Sequence, residues 1–227
     1  MDPDTNHPPK PVAETKFSDA IPTPDSPEEL AAFIVDLYNK YGGQQYDIGE
    51  VITQKQHACQ AAGHAARATN NNDECIVAAF LHDIGHILPL KGIVIDSQTM
   101  GTLGIENHEK IGHDWLLSKG FPASIAFLVK GHVSAKRYLV AVDAEYYNRL
   151  SEASKGTLRF QGGPMSPDEV AAWEANPWHR RAIDLRDWDD MAKDPNDPGM
   201  SVEEIAKIIV RVLKTTSTSI RSHANFN

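Results

Sequence analysis

Two cysteines in 227 residues, Cys59 and Cys75, are too few for a disulfide framework, and no CxxC pair offers a thiolate metal clamp. Both read as small buried hydrophobes. No apolar run approaches the roughly 20 residues that span a bilayer. The opening residues, Met1-Asp2-Pro3-Asp4, lack the basic-then-apolar pattern of a leader, so a cytoplasmic protein is expected. Positive charge is also scarce. With 22 Lys and Arg against 31 Asp and Glu, the net charge of −9 argues against general nucleic-acid binding. An anionic ligand would need a local basic cluster. No segment alternates polar and apolar residues as a half-buried strand does, and no βαβ rhythm appears. An all-α fold follows, in one large domain with a substantial core.

What is present is a series of helix signals between two polar ends. Residues 1–25, rich in proline, read as a flexible or surface-draped arm. Ser26-Pro27-Glu28-Glu29 caps a helix carrying Leu30, Phe33, Ile34, Leu37 and Tyr38 at core spacing. A second helix begins near Thr53, and Asn70–Asp73 is a turn and cap before a third. Helices are expected around 109–118 and 122–133, from Ser166 through Trp173, around 182–190, and from Ser201 through Leu213. The domain spans 26–213, and 214–227 is a polar tail.

One stretch breaks the apolar pattern of the third helix: Phe80-Leu81-His82-Asp83-Ile84-Gly85-His86. On a continuous helix His82 and His86 share a face, with Asp83 about 100° round. An unpaired carboxylate among apolar residues costs several kcal/mol, whereas imidazole and carboxylate are good ligands for first-row metals. Other candidates stand at His57, His108, His132 and Asp189. Singly, each is more often a core or capping residue than a ligand. Together, four His and two Asp on separate helices suit two metals rather than one, and Asp83 is the natural bridge.

The pattern His57, His82-Asp83, Asp189 resembles that of the HD-domain superfamily, an α-helical bundle best known for metal-dependent phosphohydrolases. A narrower likeness runs through Ile48-Gly49-Glu50, Gly131-His132-Val133-Ser134-Ala135-Lys136, Leu150–Ser154, Gln161-Gly162-Gly163-Pro164 and Arg186-Asp187-Trp188-Asp189. These resemble the oxygenases that cleave the carbon–phosphorus bond of 1-hydroxy-2-aminoethylphosphonate and its trimethylammonio analogue. The resemblance implies a buried dinuclear site holding two iron ions, Fe(II)/Fe(III), with O2 as co-substrate. One iron would take His57, His82, Asp83 and Asp189; the other would share Asp83 and take His108 and His132. The phosphonate would meet His86, Lys136, Ser154, Thr157, Gln161 and Arg186, with Asp83, His86 and Lys136 closest to the chemistry. Glu50 would face the cationic end of the substrate, and Asp47 is a further substrate-binding candidate. The products would be inorganic phosphate and glycine or a glycine betaine.

One position departs from that pattern. The family places a Tyr three residues before Glu50, capping the open iron position until substrate arrives; here Asp47 stands there and Tyr46 precedes it. Either Tyr46 gates, or Asp47 caps, or the device is absent. The rival enzyme is an HD phosphohydrolase acting on a small phosphate ester, and a ligand-sensing domain without catalysis is a third reading.

Overall fold

The computed structural model describes residues 14–19, 24–43 and 51–224. Tyr46, Asp47 and Glu50 lie outside the described residues.

Helix α1 (Pro27–Tyr41) starts as its cap predicts, with Ser26 accepting from the Glu29 N–H, and it buries Leu30, Ile34, Leu37 and Tyr38. Helix α2 (Gln54–Ala68) opens on a capping box between Thr53 and Gln56. Asn70 and Asn71 adopt left-handed φ values of 51° and 61°, a conformation asparagine tolerates, and turn the chain. Asn72 then caps α3 (Asp73–Leu81), which is buried from Cys75 onward.

The third helix does not run through its motif. It ends at Leu81, Asp83 takes φ −103° and ψ 12°, and a short α4 (Ile84–Ile87) restarts the chain. The carbonyls released at the break find side-chain donors. His82 Nδ1–H donates to Ala79 O at 2.7 Å, and the Tyr38 hydroxyl donates to Phe80 O at 2.8 Å. The shared face expected for His82 and His86 is therefore lost, and the two rings serve different places.

After a 3₁₀ turn at Leu88–Lys91, β2 (Val94–Ile95) pairs antiparallel with β1 (Lys16–Phe17), the one small sheet among the described residues. The fold is thus helical apart from this ribbon, and the described part of the N-terminal arm lies against the body. Two other boundaries differ from expectation. Helix α5 (His108–Ser118) is followed by α6 (Ala123–Val142), which continues well past Val133. After the short α7 (Tyr146–Arg149), α8 (Glu152–Phe160), α9 (Pro167–Glu174) and α10 (His179–Met191), α11 runs from Val202 to Ala224 rather than stopping at Leu213. Along its polar end the hydroxyls of Thr215, Thr216 and Ser217 bond back to the carbonyls four residues earlier, each at 2.9 Å, and so find partners within the helix itself.

Helix α3 is the centre of the bundle, packed by α2, α6, α10 and α11, while α5 lies on α4 and α6. The buried part of these contacts is mostly aliphatic and aromatic, and most of the buried polar residues collect along one seam.

Candidate metal centre and anion cleft

Six buried side chains from α2, the α3–α4 break, α5, α6 and α10 converge: His57, His82, Asp83, His108, His132 and Asp189. They form two pairs of imidazoles. His57 Nε2 lies 3.1 Å from His82 Nε2, and His108 Nε2 lies 3.2 Å from His132 Nε2. The backbone fixes which nitrogens carry protons. His57 Nδ1–H donates to Ala192 O at 2.8 Å, His82 Nδ1–H to Ala79 O, and His132 Nδ1–H to Val129 O at 2.6 Å. A carbonyl only accepts, so in the neutral ring each Nε2 presents a lone pair. At the His57–His82 pair these lone pairs face each other at about 3 Å and repel unless a cation lies between them.

Asp83 stands between the pairs. Its Oδ1 is 3.3 Å from His108 Nε2 and 3.6 Å from His132 Nε2; its Oδ2 is 3.4 Å from His82 Nε2 and 3.9 Å from His57 Nε2. Asp189 Oδ1 adds a second oxygen to the first pair, 3.3 Å from His57 Nε2. Asp83 Oδ2 is buried without a hydrogen-bond partner, an expensive arrangement for a carboxylate unless an ion completes it. Burial opposes the charge on Asp83, but His82 and His108 outweigh it and hold the carboxyl well below its usual range. Burial likewise disfavours a charged His82, yet Asp83 and Asp189 raise it to about 9. That rise measures the pull of two carboxylates for positive charge at Nε2. This donor set of imidazoles and carboxylates, one of them offering an oxygen to each side, fits two first-row metal ions.

His86 follows the opposite rule. The Ile105 N–H donates to its Nδ1 at 3.0 Å, so the neutral ring carries its proton on Nε2. The ring stacks on His108 with centroids 3.9 Å apart and rests against Gly104, where a Cβ would come within 2.6 Å of it. Burial, reinforced by His108, lowers its pKa to about 3. Distance alone also groups Asp83, His86 and His108 as a possible metal triad. The tautomer argues against it, because a metal on Nε2 would set Nδ1–H against the Ile105 N–H. His86 is instead built to donate.

Beside the seam opens a cleft of about 500 Å³, counting its mouth, lined by Asp83, His86, His108, His132, Lys136, Ser154, Thr157, Gln161, Arg186 and Asp189 among others. Because α6 continues past His132, Lys136 follows it by one turn and points into this space. Lys136 Nζ donates to Thr157 Oγ1 at 2.8 Å and is paired with no carboxylate among the described residues. Burial, then the nearby Arg186, lowers its pKa to about 7. Arg186 is more committed. Its Nη1 donates to Asp189 Oδ2 at 2.7 Å, its Nη2 to Asp190 Oδ1, and its Nε to the Tyr146 hydroxyl at 2.9 Å.

The structure therefore brings together every expected site residue that it describes. It adds several that the sequence reading passed over. Gln54 and Gly104 line the cleft. Tyr146 and Asp190 hold Arg186, with Tyr146 donating to Asp190 Oδ2 at 2.5 Å. Gln60 ties α2 to the segment after α10 by donating to Asp194 O and Asp197 O, at 2.6 Å and 2.8 Å. The run of polar residues around Arg186 was the signal available for Asp190. For Gln60 there was none.

Residues 55–194 match the HD domain family. Protein L432 of Acanthamoeba polyphaga mimivirus, uncharacterized, is 45% identical over 160 residues, covering 70% of this chain and 71% of that one. The hydroxymethylphosphonate dioxygenase of Gimesia maris is 38% identical over 180 residues, covering 79% and 86%. The glycine-betaine-forming [1-hydroxy-2-(trimethylamino)ethyl]phosphonate dioxygenase of Leisingera caerulea is 39% identical over 164 residues, covering 72% and 80%. The chain belongs to the HD-domain family, within the group that contains these two phosphonate dioxygenases.

Proposed function

We propose that this protein is a cytoplasmic, iron- and dioxygen-dependent oxygenase that cleaves the C–P bond of a small 1-hydroxyphosphonate bearing an amino or trimethylammonio group at C2. The observation that carries the reading is the position of Asp83: one carboxylate offers an oxygen to each of two facing imidazole pairs, at the edge of an anion cleft. His57, His82 and Asp189 would complete one metal, and His108 and His132 the other. Iron bound there supplies the one-electron chemistry with dioxygen that oxidising C1 requires.

The chain's own residues do the remaining work. Lys136 supplies a charge that no carboxylate among the described residues pairs with, and it draws the phosphonate to the floor of the cleft with the Thr157 hydroxyl beside it. His86, held by Ile105 and His108, offers Nε2–H to a phosphonate oxygen. Ser154 and Gln161 also line this space, where the Ser154 hydroxyl and the Gln161 amide N–H can donate. Arg186, already bound to Asp189 and Asp190, contributes mainly by joining the anion site to a metal ligand. Holding the phosphonate on these groups leaves C1 facing the metals, which is catalysis by orientation. Glu50 weighs for a cationic C2 substituent, although the substrate named for the Gimesia relative has none.

Oxidation of the hydroxyl-bearing carbon to a carboxylate, with phosphorus leaving as phosphate, consumes one dioxygen per substrate. Iron-loaded protein given 1-hydroxy-2-aminoethylphosphonate should release phosphate and consume O2 in equal amounts. Phosphate release at an undiminished rate without oxygen would support a hydrolase instead. Rates on the amino, trimethylammonio and hydroxymethyl compounds would rank the substituents.

A further inference from the structure

We propose that Glu109 is a positioning residue for the second metal: its carboxylate accepts the Nδ1–H of His108 and sets the donor strength of that ring. The inference rests on the reading of His108 as a metal ligand. Three of the four converging imidazoles anchor Nδ1 on a backbone carbonyl, those of Ala192, Ala79 and Val129. His108 has no such carbonyl, and its Nδ1 is buried without a hydrogen-bond partner. Glu109 Oε2 is buried without a partner too, and it lies 3.6 Å from that nitrogen. Two orphaned atoms of opposite hydrogen-bonding character thus face each other, a few tenths of an ångström beyond bonding distance.

The ordinary explanation of Glu109 is its place in the first turn of α5, where a carboxylate meets the positive end of the helix. That role is served by a solvated carboxylate and gives no reason to bury Oε2. A metal on His108 Nε2 gives one, because it forces the ring proton onto Nδ1, the atom nearest Glu109. A carboxylate is a stronger acceptor than a carbonyl, and a ring hydrogen-bonded to one is a more basic ligand. Glu109 therefore makes the two metal positions unequal. The metal held by His108 and His132 receives the more electron-rich imidazole and is the better stabilised in its higher oxidation state.

The test uses the full-length protein loaded with iron, as wild type, Glu109→Gln and Glu109→Ala. Chelator competition should show one of the two irons held about 10- to 100-fold more weakly in Glu109→Ala. Glu109→Gln, whose amide oxygen still accepts, should fall between, with the other iron unchanged. The mixed-valent electron paramagnetic resonance signal should shift in both variants. If Glu109 served only the helix, the melting temperature of the metal-stripped protein would fall while both irons kept their wild-type affinity, and the proposal would be overturned. Unchanged affinity together with an unchanged signal would overturn it as well. Failure of the underlying reading would look different: His108→Ala would retain as much iron as wild type, and the role of Glu109 would fall with it.

Discussion

Each imidazole in this centre has two nitrogens, and at every ring but His108 the backbone decides what each one does. A carbonyl behind Nδ1 turns Nε2 into a ligand at His57, His82 and His132, and an N–H behind Nδ1 turns Nε2 into a donor at His86. Lys136 carries the clearest pH prediction. Its folded pKa of about 7 leaves it charged below neutrality and neutral above, while a phosphonate, like a phosphate monoester, is a dianion above about 6. Productive encounter of cation and dianion is confined to the window between, so kcat/KM should be bell-shaped and fall on the alkaline side near 7. Lys136→Arg, always charged, should remove that alkaline limb. Lys136→Met should raise KM about ten- to a hundredfold, the value of a charge-assisted hydrogen bond of roughly 1.5–3 kcal/mol; equal rates at saturating substrate would separate binding from chemistry. At this scale the sequence was highly readable. His82, Asp83, His108 and His132 stood out as a set rather than singly, and the resemblance divided them between two metals. The sequence was silent on proton placement, which depends on carbonyls and N–H groups that only the fold brings near.

Helices deliver these residues in combinations. Helix α6 carries His132 and Lys136 one turn apart, and α10 carries Arg186 and Asp189 on one face, so a single rigid element serves both metal and anion. The break between α3 and α4 separates His82 from His86 and lets one motif supply both sides. Spacing read as a continuous helix could not foresee this, since the break is held by Tyr38 and by the ring of His82 itself. The end of α6 was likewise misplaced, although Ala135, Tyr138, Leu139 and Val142 stand at i, i+3, i+4 and i+7 and signal a helix that runs past Val133. Gly85 offers an element-scale test. A Cβ there would lie 2.0 Å from His108 O, so α4 and the start of α5 touch backbone to backbone. Gly85→Ala must push α5 away, costing about 1–3 kcal/mol or more by overpacking. Metal titration of this variant should show the His108–His132 position weakened before the His57–His82 position; equal weakening would mean that α5 is not what moved.

Across the whole molecule, the polar seam runs through the middle of the bundle, joining α2, α3, α4, α5, α6 and α10 at a point where apolar packing is interrupted. Asp189 already has Arg186 beside it, but Asp83 Oδ2 is buried without a hydrogen-bond partner, so a cation completing that carboxylate should stabilise the entire domain. At a free metal concentration about 1,000 times Kd, linkage gives roughly 4 kcal/mol, which for a chain of this size corresponds to about 8–16 °C in Tm. Calorimetry with and without a chelator would read this directly, and an unchanged Tm would argue against a metal in the seam. The most direct measurement is the iron content of wild type and Asp83→Ala. If one carboxylate joins two metals, wild type carries two irons per chain and Asp83→Ala carries almost none. An Asp83→Ala protein that folds and keeps its full iron content would contradict the account.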